Sequence, residues 1–337
     1  MPRDSVYDIA KCLAIISVLL YHIEFWILHN IYINAFLNTF FLSIFFVISG
    51  LLSNSQKVSE VGWLEKQASH LILPFVVGFT LYNIYLWLFW ERPLFEKNDF
   101  GDSKSGFWFL LTLFEFFLVV WAVERISMHG GKKPVTIRCF LLCVPFFIVT
   151  VLCKIIPYDI AGILSLMSFR RYYLFFAYGY IINNCFHNPG IFYNKMVGIV
   201  SSFLYLFLAT YFTIIIKEVS TPYDFMVWLL ANTAGCHFWL YMLKQIAPVI
   251  SHSSVIMEIG QNTLGIYVIH YYILQILIDF CHRLPLGGGI YKAALYIVLV
   301  TVLLSSTFFC VKQIKKEKIL SLVFLGVVPD FQNYNQR

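Results

Sequence analysis

Charged residues are scarce in this chain: Asp, Glu, Lys and Arg together make up 12% of its 337 residues. A soluble fold of that length needs a far more polar surface, and the 60% hydrophobic content exceeds what one buried core could hide. Cysteine pairing signals are also missing. The eight cysteines contain no CxxC pair and no His/Cys cluster of zinc spacing, so neither a disulfide framework nor a metal site is expected. There is no internal repeat, no low-complexity tract and no polar stretch long enough for a separate soluble domain. The first apolar run lacks an A-x-A exit and is broken by Lys11, His22 and Glu24. It is therefore expected to remain as a span instead of being cleaved as a signal peptide.

What the sequence has in abundance is long apolar runs. They fall near residues 9–28, 32–52, 71–90, 106–123, 135–153, 169–184, 197–216, 224–243, 262–280 and 291–311. Each is about the length that crosses the hydrocarbon core of a bilayer. The expected fold is all-α, a polytopic membrane helix bundle of about ten transmembrane helices over residues 1–312, with a short cytoplasmic tail at 313–337. Pro74, Pro93, Pro134, Pro189, Pro222 and Pro285 sit at or close to span ends, and Gly287–Gly289 marks a turn before the last span. With ten spans both termini share a side, and roughly 15 of the 24 Lys/Arg fall on it. That bias predicts a multi-pass membrane protein with both termini cytoplasmic.

An ionisable side chain in the bilayer costs about 2.5–3.5 kcal/mol on insertion scales, so each one inside a span asks for a use. Lys11 and His22 are eleven residues apart in the first span. On a helix that is about three turns, so the two share a face about 16 Å apart. One stripe thus offers a cation at the cytosolic mouth and a titratable imidazole deep inside. Taken singly, Lys11 also reads as a positive-inside anchor and His22 as a bundle histidine.

The opening YDIAKCLAIISVLLYH, with Lys11, ten residues and then His22, resembles the first span of the acyltransferase 3 family. The second span ends in FFVISGLL, similar to that family's Phe-Phe-x-Ile-Ser-Gly element, here Phe45, Phe46, Ile48, Ser49 and Gly50. The fourth opens with Trp108, Phe109 and Leu110, and the ninth reads GQNTLGIYVIH, resembling a Tyr-x-x-His pattern. The likeness runs in order from residue 7 to about 270. One departure stands out. Lys66 lies eight residues before Pro74, but His70 occupies the nearer position where the family usually has arginine.

The resemblance implies an integral-membrane O-acyltransferase that carries an acyl group, most often acetyl, from acyl-CoA to a hydroxyl of a surface carbohydrate or its lipid-linked precursor. Acetyl-CoA would be a co-substrate, with no permanently bound cofactor. Its phosphates would meet Lys11, Lys66 and His70, and His22 would serve as general base. Glu115, a lone carboxylate in the fourth span, reads either as a group orienting His22 or as a protonated structural group. Thr263, Tyr267 and His270 share a helical face, a wall of the acceptor channel or an interhelical hydrogen-bonding seam. Ser49 and Gly50 fit a close-packing or backbone-bend element. Arg170 and Arg171 suit a phosphate or carboxylate on the acceptor, and equally an interfacial anchor. The expected partners are membrane lipids, acyl-CoA and a glycan acceptor, with no nucleic acid and an oligomeric state left open. The tail KQIKKEKILSLVFLG reads as a membrane-surface segment.

A proton-coupled secondary transporter of a small polar substrate is the competing reading, since intramembrane His, Glu and Arg also mark such pathways. It predicts an internal repeat with paired broken helices, which the sequence does not show. A helical membrane scaffold explains the polar stripe least well.

Overall fold

The computed structural model describes residues 4–128, 134–283 and 290–327. These residues are almost wholly helical, with no strand among them. The first part of the chain holds α1 (Ser5–Ile23), α2 (Ile31–Leu37), α3 (Phe41–Leu52), α4 (Ser55–Val58), α5 (Trp63–Trp90) and α6 (Trp108–Met128). Then come α7 (Val135–Ile155), α8 (Tyr158–Ile163), α9 (Leu166–Asn184), α10 (Lys195–Tyr211) and α11 (Pro222–Ile250). The chain ends with α12 (Ser254–Gln261), α13 (Thr263–His282), α14 (Ile290–Ile314) and α15 (Lys318–Leu325). Pro285, the glycines 287–289 and the basic pair Lys132–Lys133 lie outside the described residues.

Among the described residues, seven segments are long and apolar enough to cross a membrane: Ser5–Leu28, Ile31–Leu52, Trp63–Trp90, Val135–Ile155, Lys195–Ile216, Thr263–His282 and Tyr291–Ile314. Three more expected spans correspond to α6, α9 and α11, which have the length but are more polar. Glu115, Glu124 and Arg125 lie in α6, and Arg170 and Arg171 in α9.

Two compact units make up the chain. The first joins Met1–Ser49 to His187–Phe308. In it α1 packs against α11, α12 and α13, and α10 lies along α11. The close approach of α12 depends on Gly260, where an added Cβ would overlap the backbone oxygen of Asp8. The run expected to be one span at 32–52 is interrupted at residues 38–40, between α2 and α3. Backbone groups freed in an apolar setting must be satisfied, and here they are. The carbonyl of Asn38 accepts from Trp228 Nε1 at 2.9 Å and from Asn232 Nδ2 at 3.2 Å. The hydroxyl of Thr39 donates to the Phe36 carbonyl at 2.6 Å, and Ser43 Oγ donates to Asn232 Oδ1 at 2.5 Å.

The second unit joins Gly50–Phe186 to Phe309–Arg337. An aromatic core of Phe116, Phe169, Tyr173 and Phe176 ties α6 to α9, with Phe169 stacked on Tyr173 at 4.7 Å between ring centroids. A buried ion pair is satisfied beside it: Glu124 Oε1 accepts from Arg138 Nη2 at 2.6 Å and from the Tyr180 hydroxyl at 2.8 Å. Removing one partner of such a pair strands a charge in apolar surroundings, a loss of about 3–5 kcal/mol. Arg138→Met is accordingly expected to lower the melting temperature in detergent sharply, and Glu124→Gln combined with it to restore part of the loss.

One sequence expectation changes in this unit. The third span was expected to begin at residue 71 with Pro74 near its end, but α5 begins at Trp63 and encloses Pro74. Gly62, at φ 81°, makes the turn that allows the earlier start. Membrane helices tolerate such an interior proline because neighbouring groups satisfy the freed carbonyl. The C-terminal segment, in turn, forms α15 and packs on α5. It ends at Gly326, φ 64°, where a Cβ would overlap the Ser69 carbonyl oxygen.

Candidate active site

Helix α1 is the element around which the candidate site is built. Asp4 caps it by accepting from the Val6 N–H at 3.1 Å. Ala10, Ala14 and Ser17 are buried small residues that let its neighbours approach. The helix is unbroken from Ser5 to Ile23, so Lys11 and His22 do lie on one face, separated by about 16 Å of rise. Both are half-buried.

His22 faces α13. Its Nε2 is 3.1 Å from the Tyr271 hydroxyl, with the two ring centroids 5.1 Å apart. His270, fully buried, sits with its ring centroid 5.2 Å from that of His22. His270 Nδ1 is 2.6 Å from the Tyr267 carbonyl oxygen. A carbonyl only accepts, so Nδ1 of His270 carries the proton and its Nε2 presents a lone pair. That Nε2 is buried with no hydrogen-bond partner among the described residues, and so is Nδ1 of His22. Native interiors rarely leave such atoms unpaired, and where they do a ligand, a water or a reaction is the usual reason. Two imidazoles on adjacent helices thus hold two unsatisfied ring nitrogens in one small volume.

The Tyr271 hydroxyl can meet His22 as acceptor or as donor, so the surroundings of Nδ1 decide between the two tautomers. When His22 Nε2–H donates to the tyrosine oxygen, the lone pair of His22 lies on Nδ1, the buried unpaired atom. In the other tautomer Nδ1 bears a proton that has no acceptor among the described residues. The first arrangement leaves a base ready at Nδ1, and the second strands a buried donor.

Of the remaining candidates, Tyr267 and Ser49 belong to the same unit. Tyr267 is buried, and its carbonyl fixes His270. Ser49 is half-buried near the end of α3. The others belong to the second unit. Lys66 is exposed on the first turns of α5, while His70 is half-buried against α15, next to the Leu325 backbone. Arg170 and Arg171 open α9 half-buried, with the Arg171 guanidinium 5.9 Å from the centre of the Tyr172 ring. Glu115 has a buried Oε2 without a hydrogen-bond partner among the described residues, and its electrostatic partners are Lys104 and Asp102. Lys104 is itself buried and donates to the Gly162 carbonyl at 2.6 Å. Burial pushes its ammonium below the ordinary lysine value, while Asp102 and Glu115 pull it back up. The group that hydrogen-bonds His22 is Tyr271, which sequence reasoning missed.

Tyr271 left a weak trace in the sequence. It directly follows His270 in the run IHYY, but neighbouring helical residues diverge by about 100°. Which of them meets His22 depends on how α13 is rotated, and spacing does not carry that. No group of three or more metal-ligating side chains that could hold a metal ion occurs among the described residues.

A family model described as an acyltransferase domain, that of the acyltransferase 3 family, matches residues 5–311, nearly the whole chain. No curated protein matches the chain, and no solved structure does.

Proposed function

The chain belongs to the acyltransferase 3 family and is a membrane acyltransferase, and from that premise we propose that it transfers an acetyl group from acetyl-CoA to a hydroxyl of a surface carbohydrate or its lipid-linked precursor, with His22 as general base. The observation that carries this reading is the unpaired, buried Nδ1 of His22, whose other nitrogen is held by Tyr271. Nδ1 takes the proton of the acceptor hydroxyl as its oxygen attacks the thioester carbonyl. The tetrahedral intermediate collapses, the C–S bond breaks, and the departing thiolate recovers the proton from the imidazolium. A base whose ordinary pKa lies near 6.5 suits both halves of that exchange.

Lys11, on the stripe that leads to His22, would pair with a phosphate of the donor, with Lys66 and His70 as further donor-side groups. In this reading α6, α9 and α11 complete ten spans in the plasma membrane, and the Lys/Arg bias sets both termini in the cytoplasm. The test is transfer in proteoliposomes supplied with isotopically labelled acetyl-CoA and surface-glycan acceptors, with the ester identified by mass spectrometry. Movement of a polar substrate across the vesicle without an acyl donor would favour transport instead.

Two further outcomes are expected. Lys11→Met removes one charge-assisted contact of about 1.4 kcal/mol, so KM for acetyl-CoA should rise about tenfold with kcat little changed. Tyr271→Phe removes the hydrogen bond that holds the His22 ring but leaves the imidazole in place. It should lower kcat about tenfold without moving KM for the donor, and the residual rate should keep its dependence on His22.

A further inference from the structure

At the far end of α1 from the N-terminus, the chain departs from regular helix. Residues Glu24–Leu28 form a π-helical turn, closed by a bond from the His29 N–H to the Glu24 carbonyl at 2.6 Å, and His29 sits at φ 56°. Wide π turns and left-handed non-glycine residues carry a local conformational cost and gather at functional positions. Here the irregular turn forms one wall of a cavity of about 570 Å³, whose rim includes Glu24, His29, Asn30, Tyr32, Lys292 and Tyr296. That volume lies in the range of small-molecule sites.

The chemistry of the wall is mixed. Glu24 is only 2% exposed, yet its side chain has a single hydrogen bond among the described residues, from the Asn30 N–H to Oε2 at 3.3 Å. A carboxylate can accept about four hydrogen bonds, so most of its capacity is unused. Lys292, exposed on the first turn of α14, lies within electrostatic reach of Glu24, but no salt bridge joins them among the described residues. Opposite charges facing one cavity leave it with little net charge, while both heads remain ready to bond. Tyr32 and Tyr296 add flat apolar faces, and Tyr32 is steadied by Lys217 Nζ, 4.9 Å from its ring centre.

We propose that this cavity is a binding subsite for a neutral, hydroxyl-rich sugar residue, with Glu24 accepting from its hydroxyls, Lys292 donating to them, and the tyrosines covering its C–H face. A neutral sugar satisfies both ends, whereas a charged one would bring its carboxylate into a cavity whose wall already holds that of Glu24. The inference rests on the acyltransferase reading for the role of the subsite in acceptor choice. Glu24 is two residues beyond His22, about 3 Å along the axis but about 200° around it. The pocket therefore holds a sugar of the acceptor next to the reacting one, and Glu24 sets specificity without touching the hydroxyl that is acylated.

The test uses the full chain in nanodiscs without acyl donor. Binding of methyl glycosides of glucose, galactose, mannose and N-acetylglucosamine, and of methyl glucuronide, is followed by isothermal titration for the wild type, Glu24→Gln and Lys292→Met. At least one neutral glycoside should bind more tightly than the glucuronide, and each substitution should weaken it about tenfold or more. In transfer assays Glu24→Gln should raise KM for an oligosaccharide acceptor by the same factor, with kcat and KM for acetyl-CoA unchanged. Active transfer with neutral-sugar binding and acceptor KM unmoved in both variants would overturn the subsite and leave the enzymatic reading standing. Glu24-dependent sugar binding with no acyl transfer by the wild type would do the reverse. Tighter binding of the glucuronide would overturn the neutral class.

Discussion

His22→Ala is expected to reduce acetyl transfer by about 10³-fold or more while leaving the protein folded and in the membrane. General-base assistance from a positioned imidazole contributes about 10²–10⁴ in rate. The alanine variant also loses the hydrogen bond to Tyr271. The cost to the fold should be small. Nδ1 has no partner to lose among the described residues, and the His22–Tyr271 contact at 3.1 Å is the one hydrogen bond of the ring there. Two measurements separate the explanations: single-turnover transfer of labelled acetyl, and thermal unfolding in detergent. A near-wild-type rate with unchanged melting would remove the histidine from the chemistry. His22→Gln refines the result, since an amide can still meet the Tyr271 hydroxyl but cannot act as a base near neutral pH. Its rate should stay as low as that of the alanine variant, and its melting temperature should stay close to the wild type.

The stripe on α1 was legible because a helix obeys a fixed period: eleven residues return Lys11 and His22 to the same face whatever surrounds them. The partner of His22 was not. Tyr271 and His22 are far apart in sequence, and their meeting depends on the rotation of α13 against α1. That rotation is set by tertiary packing, which spacing along the chain does not carry. The burial of Glu24 was hidden for a related reason: the π turn and the left-handed His29 fold the chain back over it. Hydropathy located the apolar runs and could not locate the break at residues 38–40, because the break depends on Trp228 and Asn232, nearly two hundred residues away. Lys66 and His70 read as a pair before Pro74, yet α15 covers the second of them, a tertiary contact that local sequence does not encode.

Gly50→Ala should leave little folded protein. The Ser-Gly step at the end of α3 was readable as a close-packing element, and the geometry gives its severity. A Cβ at position 50 would overlap the Phe176 carbonyl oxygen and lie 2.7 Å from the Tyr180 backbone nitrogen. Those are backbone atoms of α9, so no side chain can swing away to make room. The helix itself would have to shift, taking with it the bonds that fasten this corner. Asn183 Nδ2 donates to the Leu51 carbonyl at 2.8 Å, Asn184 Nδ2 donates to the Ser53 carbonyl at 2.7 Å, and the Ser55 N–H donates to Asn184 Oδ1 at 2.8 Å. Overpacking by one methyl costs about 1–3 kcal/mol where side chains can yield, and the backbone clash with three bonds at stake puts this change at or above the top of that range. Fluorescence-detected size-exclusion chromatography should show loss of the monodisperse peak, and any protein recovered should melt well below the wild type. Gly190→Ala supplies the control. It also adds one methyl to a glycine, but its nearest neighbour would be Asn188 Oδ1 at 3.8 Å, an ordinary contact, so its profile should match the wild type. If Gly50→Ala behaved the same way, α3 and α9 would not be in the backbone contact described, and the packing of the second unit would have to be redrawn.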